Sequence, residues 1–238
     1  MRLTGVGMGP GDPELVTVKA VRVLQEAALV VVPVMSADEQ GRAEATVRAH
    51  VDHDRLQRLV FALDDRGGAT PARTRAWDSA ADVVAEALRD KGSVAFATIG
   101  DPNIYSTFTY LADAVRERLP EVEVATVPGI TAMQDLAARS GTVLCEGTES
   151  LALLPLTAGL EAFEEALTHF DTVVAYKGGR HVAKVREVLA KHDRLDTAVF
   201  GAALGLPGEQ VGALPVEPAP YLSTVIAPAR RTTRGGKL

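Results

Sequence analysis

The chain opens with Leu3-Thr4-Gly5-Val6-Gly7-Met8-Gly9-Pro10-Gly11-Asp12-Pro13, which decides the fold. Residues 3–7 predict a short strand, and the glycines that follow predict a tight turn. Asp12 is a typical N-cap and Pro13 suits the first position of a helix. The residues Leu15, Val18, Val21 and Leu24 then fall on one helical face. A strand, a glycine turn and a helix in this order indicate an α/β fold.

The same alternation continues outward from this opening. Residues 28–34 form an apolar run without alternation, which is typical of a parallel strand covered on both faces. A helix follows around residues 77–88, a strand at 93–98 and a further helix from 108 to 119. We therefore predict an N-terminal α/β domain with a parallel sheet, spanning residues 1–119.

The second half of the chain predicts another α/β domain, at residues 120–238. Its strands are expected at 122–127, 151–156, 172–176, 197–203 and 222–227, with helices at 131–140, 160–170 and 182–191. Glycine- and proline-rich segments separate the last two strands, which favours hairpin loops and a mixed sheet. We expect any ligand in the cleft between the two α/β domains, and a frayed basic tail at 230–238.

Composition excludes several classes of protein. The 238 residues are 47% hydrophobic and 24% charged, so wholesale disorder is excluded. The net charge is −6, which gives no general attraction to nucleic acid or to an anionic membrane. The apolar run 27–35 contains Pro33 and is far shorter than the ~20 residues that span a bilayer. The single cysteine, Cys145, fits a reducing compartment, so we expect a cytoplasmic protein with Cys145 as a buried thiol.

Two further strand-end turns share the design of the first. Residues 98–107 place Asp101 directly after a buried strand, where a carboxylate could pair with a cationic ligand group or could only close an Asx turn. Residues 127–134 carry Thr131 and Gln134 at capping-box spacing, so this helix start is either structural or offers backbone donors to a ligand. Ligands of open α/β sheets gather at such carboxyl ends of strands.

A fourth turn, Tyr176-Lys177-Gly178-Gly179-Arg180, adds local positive charge. Other kinds of site find little support in the sequence. The histidines lack the spacing of a metal site, so no metal is predicted. The glycine spacing in the first turn does not match a dinucleotide fingerprint, and no phosphate-binding lysine motif is present.

The ordered set of turns resembles the tetrapyrrole methylases, the S-adenosylmethionine-dependent methyltransferases of cobalamin and sirohaem biosynthesis. The segments that carry the resemblance are 5–20, Gly100-Asp101-Pro102 and Val127-Pro128-Gly129-Ile130-Thr131-Ala132. Within the family, residues 101–111 and the Trp77-Asp78 helix start are most similar to precorrin-2 C(20)-methyltransferases, whereas residues 61–68 depart from them.

The resemblance implies a homodimer that binds S-adenosylmethionine and a tetrapyrrole. By position, the implied cofactor contacts are Pro10, Gly100, Asp101, Ile104, Tyr105, Ser106, Thr131, Ala132, Tyr176, Lys177, Ala203, Thr224 and Val225. Because the substrate carries many carboxylates, cationic side chains are candidates to bind it, namely Lys19, Arg66, Arg73, Arg75, Lys177 and Arg180. No residue is predicted as a catalytic base.

Three readings of the function remain open. The first is methylation of precorrin-2 at C-20 to give precorrin-3A. The second is the action of another methylase of the family, on a cobalt-loaded ring or on a later precorrin carbon. A nucleotide-binding enzyme of a different class or a non-catalytic binding module is the third.

Overall fold

The computed structural model describes residues 1–61 and 70–233. Two compact units divide the chain, Met1–Thr131 and Ala132–Leu238. The division comes later than the predicted boundary between residues 119 and 120. The reason is that the strand Glu123–Val127, which the sequence analysis assigned to the second domain, pairs with Arg2–Gly7 in the first sheet.

The first unit alternates strands and helices. Its strands are Arg2–Gly7 (β1), Leu29–Val34 (β2), Leu56–Val60 (β3), Ser93–Thr98 (β4) and Glu123–Val127 (β5). Its helices are Val18–Glu26 (α1), Arg42–Arg48 (α2), Pro71–Lys91 (α3) and Phe108–Arg118 (α4). The strands at 28–34 and 93–98 and the helix from 108 are confirmed. The helix expected around 77–88 is present but begins earlier, at Pro71. The elements α2 and β3 were not predicted.

All strand pairs of the first sheet are parallel, in the order β3-β2-β4-β1-β5. Alternate residues of the strands enter two separate cores. Leu3, Val31 and Phe96 pack with α3 and α4, whereas Val6 and Val30 pack with α1 and α2. Because β4, β1 and β5 are neighbours, their carboxyl ends and the turns that follow lie at one edge of the sheet.

The helix predicted to begin at Asp12 is interrupted. Asp12 does cap a short 3₁₀ turn at Pro13–Leu15, accepting a hydrogen bond from the Glu14 N–H. Thr17 is extended and caps a new helix through the Ala20 N–H, so α1 starts at Val18. The prediction that Val18 lies on the buried face is wrong, since its relative exposure is 87%.

The second unit contains a mixed sheet in the order β6-β7-β10-β8-β9. Its strands are Leu151–Pro155 (β6), Thr172–Tyr176 (β7), Val199–Ala202 (β8), Gln210–Gly212 (β9) and Ser223–Ala227 (β10). Its helices are Ala132–Ser140 (α5), Leu160–His169 (α6) and Val182–Lys191 (α7). Among the described residues of this unit, β6 and β7 form the one parallel pair, and β10 pairs antiparallel with β7 and β8. The predicted mixed sheet is therefore confirmed, and β9 is an added strand.

The start of the basic tail is anchored rather than frayed. Arg231 forms ion pairs with Glu146 and Glu149, and Arg230 pairs with Asp196. These contacts hold residues 230 and 231 against the second unit, while residues 234–238 lie outside the described chain. No described helix is long and apolar enough to cross a membrane.

Candidate functional site

The turns after β1 and β4 are joined directly through the main chain. The Met8 N–H donates to the Thr98 carbonyl over 2.9 Å, and the Gly100 N–H donates to the Gly9 carbonyl over 2.7 Å. Gly9 and Gly100 also form an isolated antiparallel bridge. Two of the predicted turns therefore form one continuous main-chain surface at the edge of the first sheet.

The turn after β5 packs against this surface through glycines. A Cβ atom on Gly129 would lie 2.2 Å from the Gly100 carbonyl oxygen and 2.8 Å from the Gly7 α-carbon. A Cβ atom on Gly7 would lie 2.5 Å from the Gly129 nitrogen. Such distances are far below van der Waals contact, so the three turns approach this closely only because side chains are absent.

Asp101 fastens the second turn to the third. Its Oδ1 accepts the Asn103 N–H over 2.8 Å, which closes the Asx turn that the sequence analysis left as one alternative. Its Oδ2 accepts the Gly129 N–H over 2.9 Å. The side chain is buried, with a relative exposure of 8%. Both carboxylate oxygens thus hold main-chain donors, and any effect of Asp101 on a ligand includes this positioning of two turns.

Hydroxyl groups order the remainder of the second turn. The Ser106 hydroxyl donates to Thr98 Oγ1 over 3.1 Å and accepts the Phe108 N–H over 3.2 Å. Ser106 therefore satisfies a free N–H at the start of α4, because Thr107 forms no side-chain cap there. Ser106, which is predicted to contact the cofactor, therefore also caps α4.

The second turn contains two left-handed residues. Gly100 has a φ of +68°, and a Cβ atom there would meet nothing within 4 Å, so its α-carbon borders open space. Tyr105 has a φ of +51°, which costs a residue with a side chain about 1–2 kcal/mol. Its side chain stays 46% exposed, and partial burial raises the pKa of the phenol above its usual value. Strain of this kind persists where the fold requires a particular orientation, and here it presents a neutral aromatic ring.

The chemistry of this edge is not that of a phosphate site. Residues 8–12, 99–107 and 128–131 contain no lysine or arginine, and they contain Asp12 and Asp101. A polyphosphate would meet no compensating side-chain charge in these segments. A neutral or cationic ligand suits the main-chain groups, hydroxyls and aromatic ring that are present.

The predicted residues of the second unit gather at one edge of its sheet. Thr224 is paired with Tyr176 across β10 and β7, and the Lys177 N–H donates to the Ser223 carbonyl over 2.9 Å. The Tyr176 hydroxyl accepts the Met133 N–H over 3.1 Å. Tyr176 therefore satisfies a main-chain donor in the first turn of α5, the helix that begins with the predicted residue Ala132.

Strained backbone marks the predicted positions. In the described chain the non-glycine residues with positive φ are Tyr105, Lys177, Asp193 and Ala203. Asp193 follows the end of α7, where a left-handed residue is an ordinary helix termination. Tyr105, Lys177 and Ala203 are each predicted cofactor contacts. Lys177 and Ala203 directly follow a strand, and Tyr105 lies in the turn between β4 and α4. Left-handed residues with side chains are concentrated at functional sites, which favours these three positions independently of the resemblance.

Val225 is poorly placed to offer a side chain. Strand alternation puts Val225 in the core formed with α6 and α7, at 1% exposure, whereas Tyr176 packs on the opposite, α5 side. Only its main chain could contact a ligand on the Tyr176 side of the sheet. Pro10 and Thr131 are also buried, so they too would act through little exposed surface.

The helix α2 and its link to the first turn were not predicted from the sequence. The Thr46 hydroxyl donates to the Gly11 carbonyl over 3.2 Å, and His50 Nε2 lies 3.0 Å from the Pro13 carbonyl oxygen. The signal available in the sequence was the spacing of Ala43, Val47 and Val51 on one helical face.

The candidate cationic side chains differ in their surroundings. Lys19 is exposed on α1, and the Arg180 guanidinium lies 5.8 Å from the centre of the Tyr221 ring. Arg73 and Arg75 lie in the first two turns of α3, and Arg66 lies outside the described residues, as does most of the stretch 61–68.

Cys145 is exposed, so the prediction of a buried thiol is wrong. Partial desolvation and the Glu149 carboxylate raise the pKa of its thiol. Within residues 1–61 and 70–233, His, Cys, Asp and Glu side chains form no cluster suited to a metal ion.

Comparison with known proteins places these turns in a family. Precorrin-2 C(20)-methyltransferase of Sinorhizobium sp is 33% identical over 240 residues, covering 95% of each chain. The protein named "Probable cobalt-precorrin-2 C(20)-methyltransferase" of Methanocaldococcus jannaschii is 34% identical over 177 residues, covering 74% of this chain and 72% of the relative.

A solved structure agrees in fold. Uroporphyrin-III C-methyl transferase from Thermus thermophilus, complexed with S-adenyl homocysteine, matches with a TM-score of 0.62 and 23% identity, covering 95% of this chain and 97% of that one. The family model "Tetrapyrrole (Corrin/Porphyrin) Methylases" matches residues 2–219, and it includes every predicted turn. The chain therefore belongs to the tetrapyrrole (corrin/porphyrin) methylases.

Proposed function

We propose that this protein is an S-adenosylmethionine-dependent C-methyltransferase of corrin-ring biosynthesis that methylates precorrin-2 at C-20 to give precorrin-3A. The near full-length relative from Sinorhizobium carries this activity in its name, and the family match supports the class of reaction. The observation that carries the proposal is the union of the turns after β1, β4 and β5 through main-chain bonds and Asp101.

The joined turns fit a sulfonium nucleoside. Open space borders the Gly100 α-carbon, and the exposed ring of Tyr105 lies later in the same turn. Residues 8–12, 99–107 and 128–131 carry no basic side chain. When bound, S-adenosylmethionine supplies an electrophilic methyl group. The protein then has to orient this group toward a ring carbon, and such alignment can lower a barrier by about 7–11 kcal/mol.

Asp101 and the hydroxyls have distinct parts in this proposal. Asp101 holds the second and third turns in register, and its carboxylate adds negative charge beside them, which favours a cationic ligand. Ser106 connects the start of α4 to the end of β4 through its bonds to Phe108 and Thr98. All the cofactor contacts stay predictions, those of the first unit as well as those from Ala132, Tyr176, Lys177, Ala203, Thr224 and Val225. The homodimer and a cytoplasmic location stay predictions too.

Recognition of the tetrapyrrole requires positive charge that the turns lack. We propose that at least two of the candidates Lys19, Arg73, Arg75, Lys177 and Arg180, with Arg66 outside the described chain, bind substrate carboxylates. Glutamine replacement of the candidates other than Lys177, which is also a predicted cofactor contact, should raise the KM for the tetrapyrrole and leave that for S-adenosylmethionine unchanged, both singly and in combination. An unchanged tetrapyrrole KM in the combined variant contradicts this part of the proposal.

The second candidate is the same methylation on a cobalt-loaded ring, favoured by the Methanocaldococcus relative. Both substrates should be offered separately, with S-adenosylmethionine carrying a carbon-13 methyl group. Product mass counts the methyl groups, and the carbon-13 shift locates the new one. Methylation at a carbon other than C-20 overturns the assignment, and the rate ratio of the two rings decides the metal state.

Calorimetric titration tests the cofactor separately. S-adenosylmethionine and S-adenosylhomocysteine are expected to bind, whereas ATP and NAD are not. Binding of ATP or NAD in place of the sulfonium compound supports a nucleotide enzyme of another class. Cofactor binding without turnover on any tetrapyrrole favours a binding module.

A further inference from the structure

Side chains on α2 and just beyond it bond to the first turn. Thr46 bonds to the Gly11 carbonyl and His50 to the Pro13 carbonyl, on either side of Asp12. From this geometry we infer that Thr46 and His50 are positioning residues, which set the affinity for S-adenosylmethionine through the main chain of residues 9–13. The inference rests on the proposed function, because it assumes that the turn containing Pro10 contacts the cofactor.

Thr46 makes a bond that is unusual for its place in a helix. A threonine within a helix commonly donates its hydroxyl to the carbonyl four residues earlier. Here the hydroxyl leaves its own helix and donates to the Gly11 carbonyl over 3.2 Å. The side chain is completely buried, and Gly11 has a φ of +153°. Loss of the hydroxyl would leave a buried carbonyl of a special backbone conformation without this partner.

His50 supplies the second bond, just beyond the end of α2. Its Nε2 lies 3.0 Å from the Pro13 carbonyl oxygen. A carbonyl only accepts hydrogen bonds, so Nε2 must carry the proton in this contact. Between the two held carbonyls, Asp12 caps the Glu14 N–H over 2.9 Å. Three side-chain bonds therefore fix the segment that leads away from Pro10.

The helix that carries these side chains is itself firmly placed. Glu44 is completely buried and accepts hydrogen bonds from Arg48 and Arg58 and from the Gly41 N–H. Burial raises the pKa of Glu44, but the two arginines outweigh it, so the net pKa lies below the usual value and the carboxylate stays charged. A buried carboxylate paired with two arginines holds α2 against β3, which gives Thr46 and His50 a fixed base.

Thr46→Val tests the first bond, because valine keeps the shape and removes the hydroxyl. Loss of one buried hydrogen bond should weaken S-adenosylhomocysteine binding about 3- to 10-fold. The KM for S-adenosylmethionine should rise by a similar factor, with kcat and the tetrapyrrole KM unchanged. Thr46→Ser, which keeps the hydroxyl, should restore the affinity. Thr197→Val is the control for the substitution itself, at an exposed threonine of the second unit whose hydroxyl donates to the Arg194 carbonyl.

His50→Leu and His50→Gln test the second bond. The glutamine amide can donate near the position of Nε2, so His50→Gln should retain most of the affinity that His50→Leu loses. Equal affinity in the four variants of Thr46 and His50 and in the unmodified protein, at equal thermal stability, overturns the inference. The inference is also overturned if Thr46→Val or His50→Leu lowers stability or kcat and the variants Thr46→Ser and His50→Gln show the same loss. Failure of the unmodified protein to bind S-adenosylhomocysteine would instead overturn the proposed function.

Discussion

The two sheet edges hold their predicted ligand residues in different ways. At the first edge, parallel neighbours deliver three turns. Main-chain hydrogen bonds join the turns after β1 and β4, and the Asp101 side chain connects them to the turn after β5. At the second edge, an antiparallel strand lies between β7 and β8, and Lys177 and Ala203 occupy left-handed backbone.

The difference predicts how each edge responds to mutation. The first edge depends on missing side chains and on one charged group, so an added methyl or a lost charge should have a large effect. The second edge uses the neutral Tyr176 hydroxyl and tolerates strain at single positions. Substitutions there should have smaller effects, and the four variants below test that ranking.

Gly129→Ala should produce the largest effect. The added Cβ would lie 2.2 Å from the Gly100 carbonyl and 2.8 Å from the Gly7 α-carbon, and backbone atoms on both sides cannot yield cheaply. We expect a loss of about 3 kcal/mol in the free energy of unfolding, measured by urea titration, and no detectable S-adenosylhomocysteine binding. The control is Gly92→Asn, at a left-handed helix end where a Cβ meets nothing within 4 Å. Equal stability of both variants would contradict the close packing of the turns.

Asp101→Asn should come next. The amide keeps one oxygen acceptor, and its NH₂ group cannot accept the second of the two main-chain N–H bonds. Hydrogen bonds to charged groups contribute about 1.5–3 kcal/mol, which corresponds to roughly 10- to 150-fold weaker S-adenosylhomocysteine binding if the turn geometry controls affinity. Asp113→Asn, which alters an exposed ion pair on α4, is the matched control. Binding within twofold of the unmodified protein would show that the carboxylate does not set the turns.

The sequence predicts the first edge well because its information is local. Residues 3–13, 93–108 and 122–132 each show the order of strand, glycine turn and helix. A parallel sheet brings the carboxyl ends of such strands to one edge. What it does not show is the partner of Asp101, because the Gly129 N–H comes from a segment that is distant along the chain. The same limitation hid the bonds from Thr46 and His50 to the first turn.

Sequence periodicity predicted element bounds less well where elements are short or where two capping residues lie close together. The helix after Asp12 was misplaced because Thr17 and Asp12 are both good caps, and the structure uses each in turn. The strand β9 has only three residues, all exposed, so it lacks an apolar pattern. The second-domain boundary was misplaced because the sequence of β5 does not reveal its partner strand, and only its pairing with β1 assigns it to the first sheet.

Tyr176→Phe should have a smaller effect than Asp101→Asn. The hydroxyl is a neutral acceptor for the Met133 N–H, and the ring that packs beside α5 is kept. We expect about 0.5–1.5 kcal/mol of lost stability and a two- to fivefold loss of S-adenosylhomocysteine affinity. Tyr221→Phe, at an exposed tyrosine of the same unit, should change neither quantity. If Tyr176→Phe costs as much affinity as Asp101→Asn, the ranking of the two edges is reversed.

Ala203→Gly should have the smallest effect, and its sign is the informative part. Alanine at a φ of +51° costs about 1–2 kcal/mol, which glycine would release. Glycine loses about 0.5–1 kcal/mol through the greater freedom of the unfolded chain, so a net gain of about 0.5 kcal/mol is expected. Ala138→Gly, in the ordinary helical backbone of α5, should instead cost about 1 kcal/mol. Opposite signs for one chemical change show that the turn after β8 carries strain. A loss of stability in both variants would mean that packing of the Ala203 methyl group stabilises the turn, and it would contradict the expected release of strain.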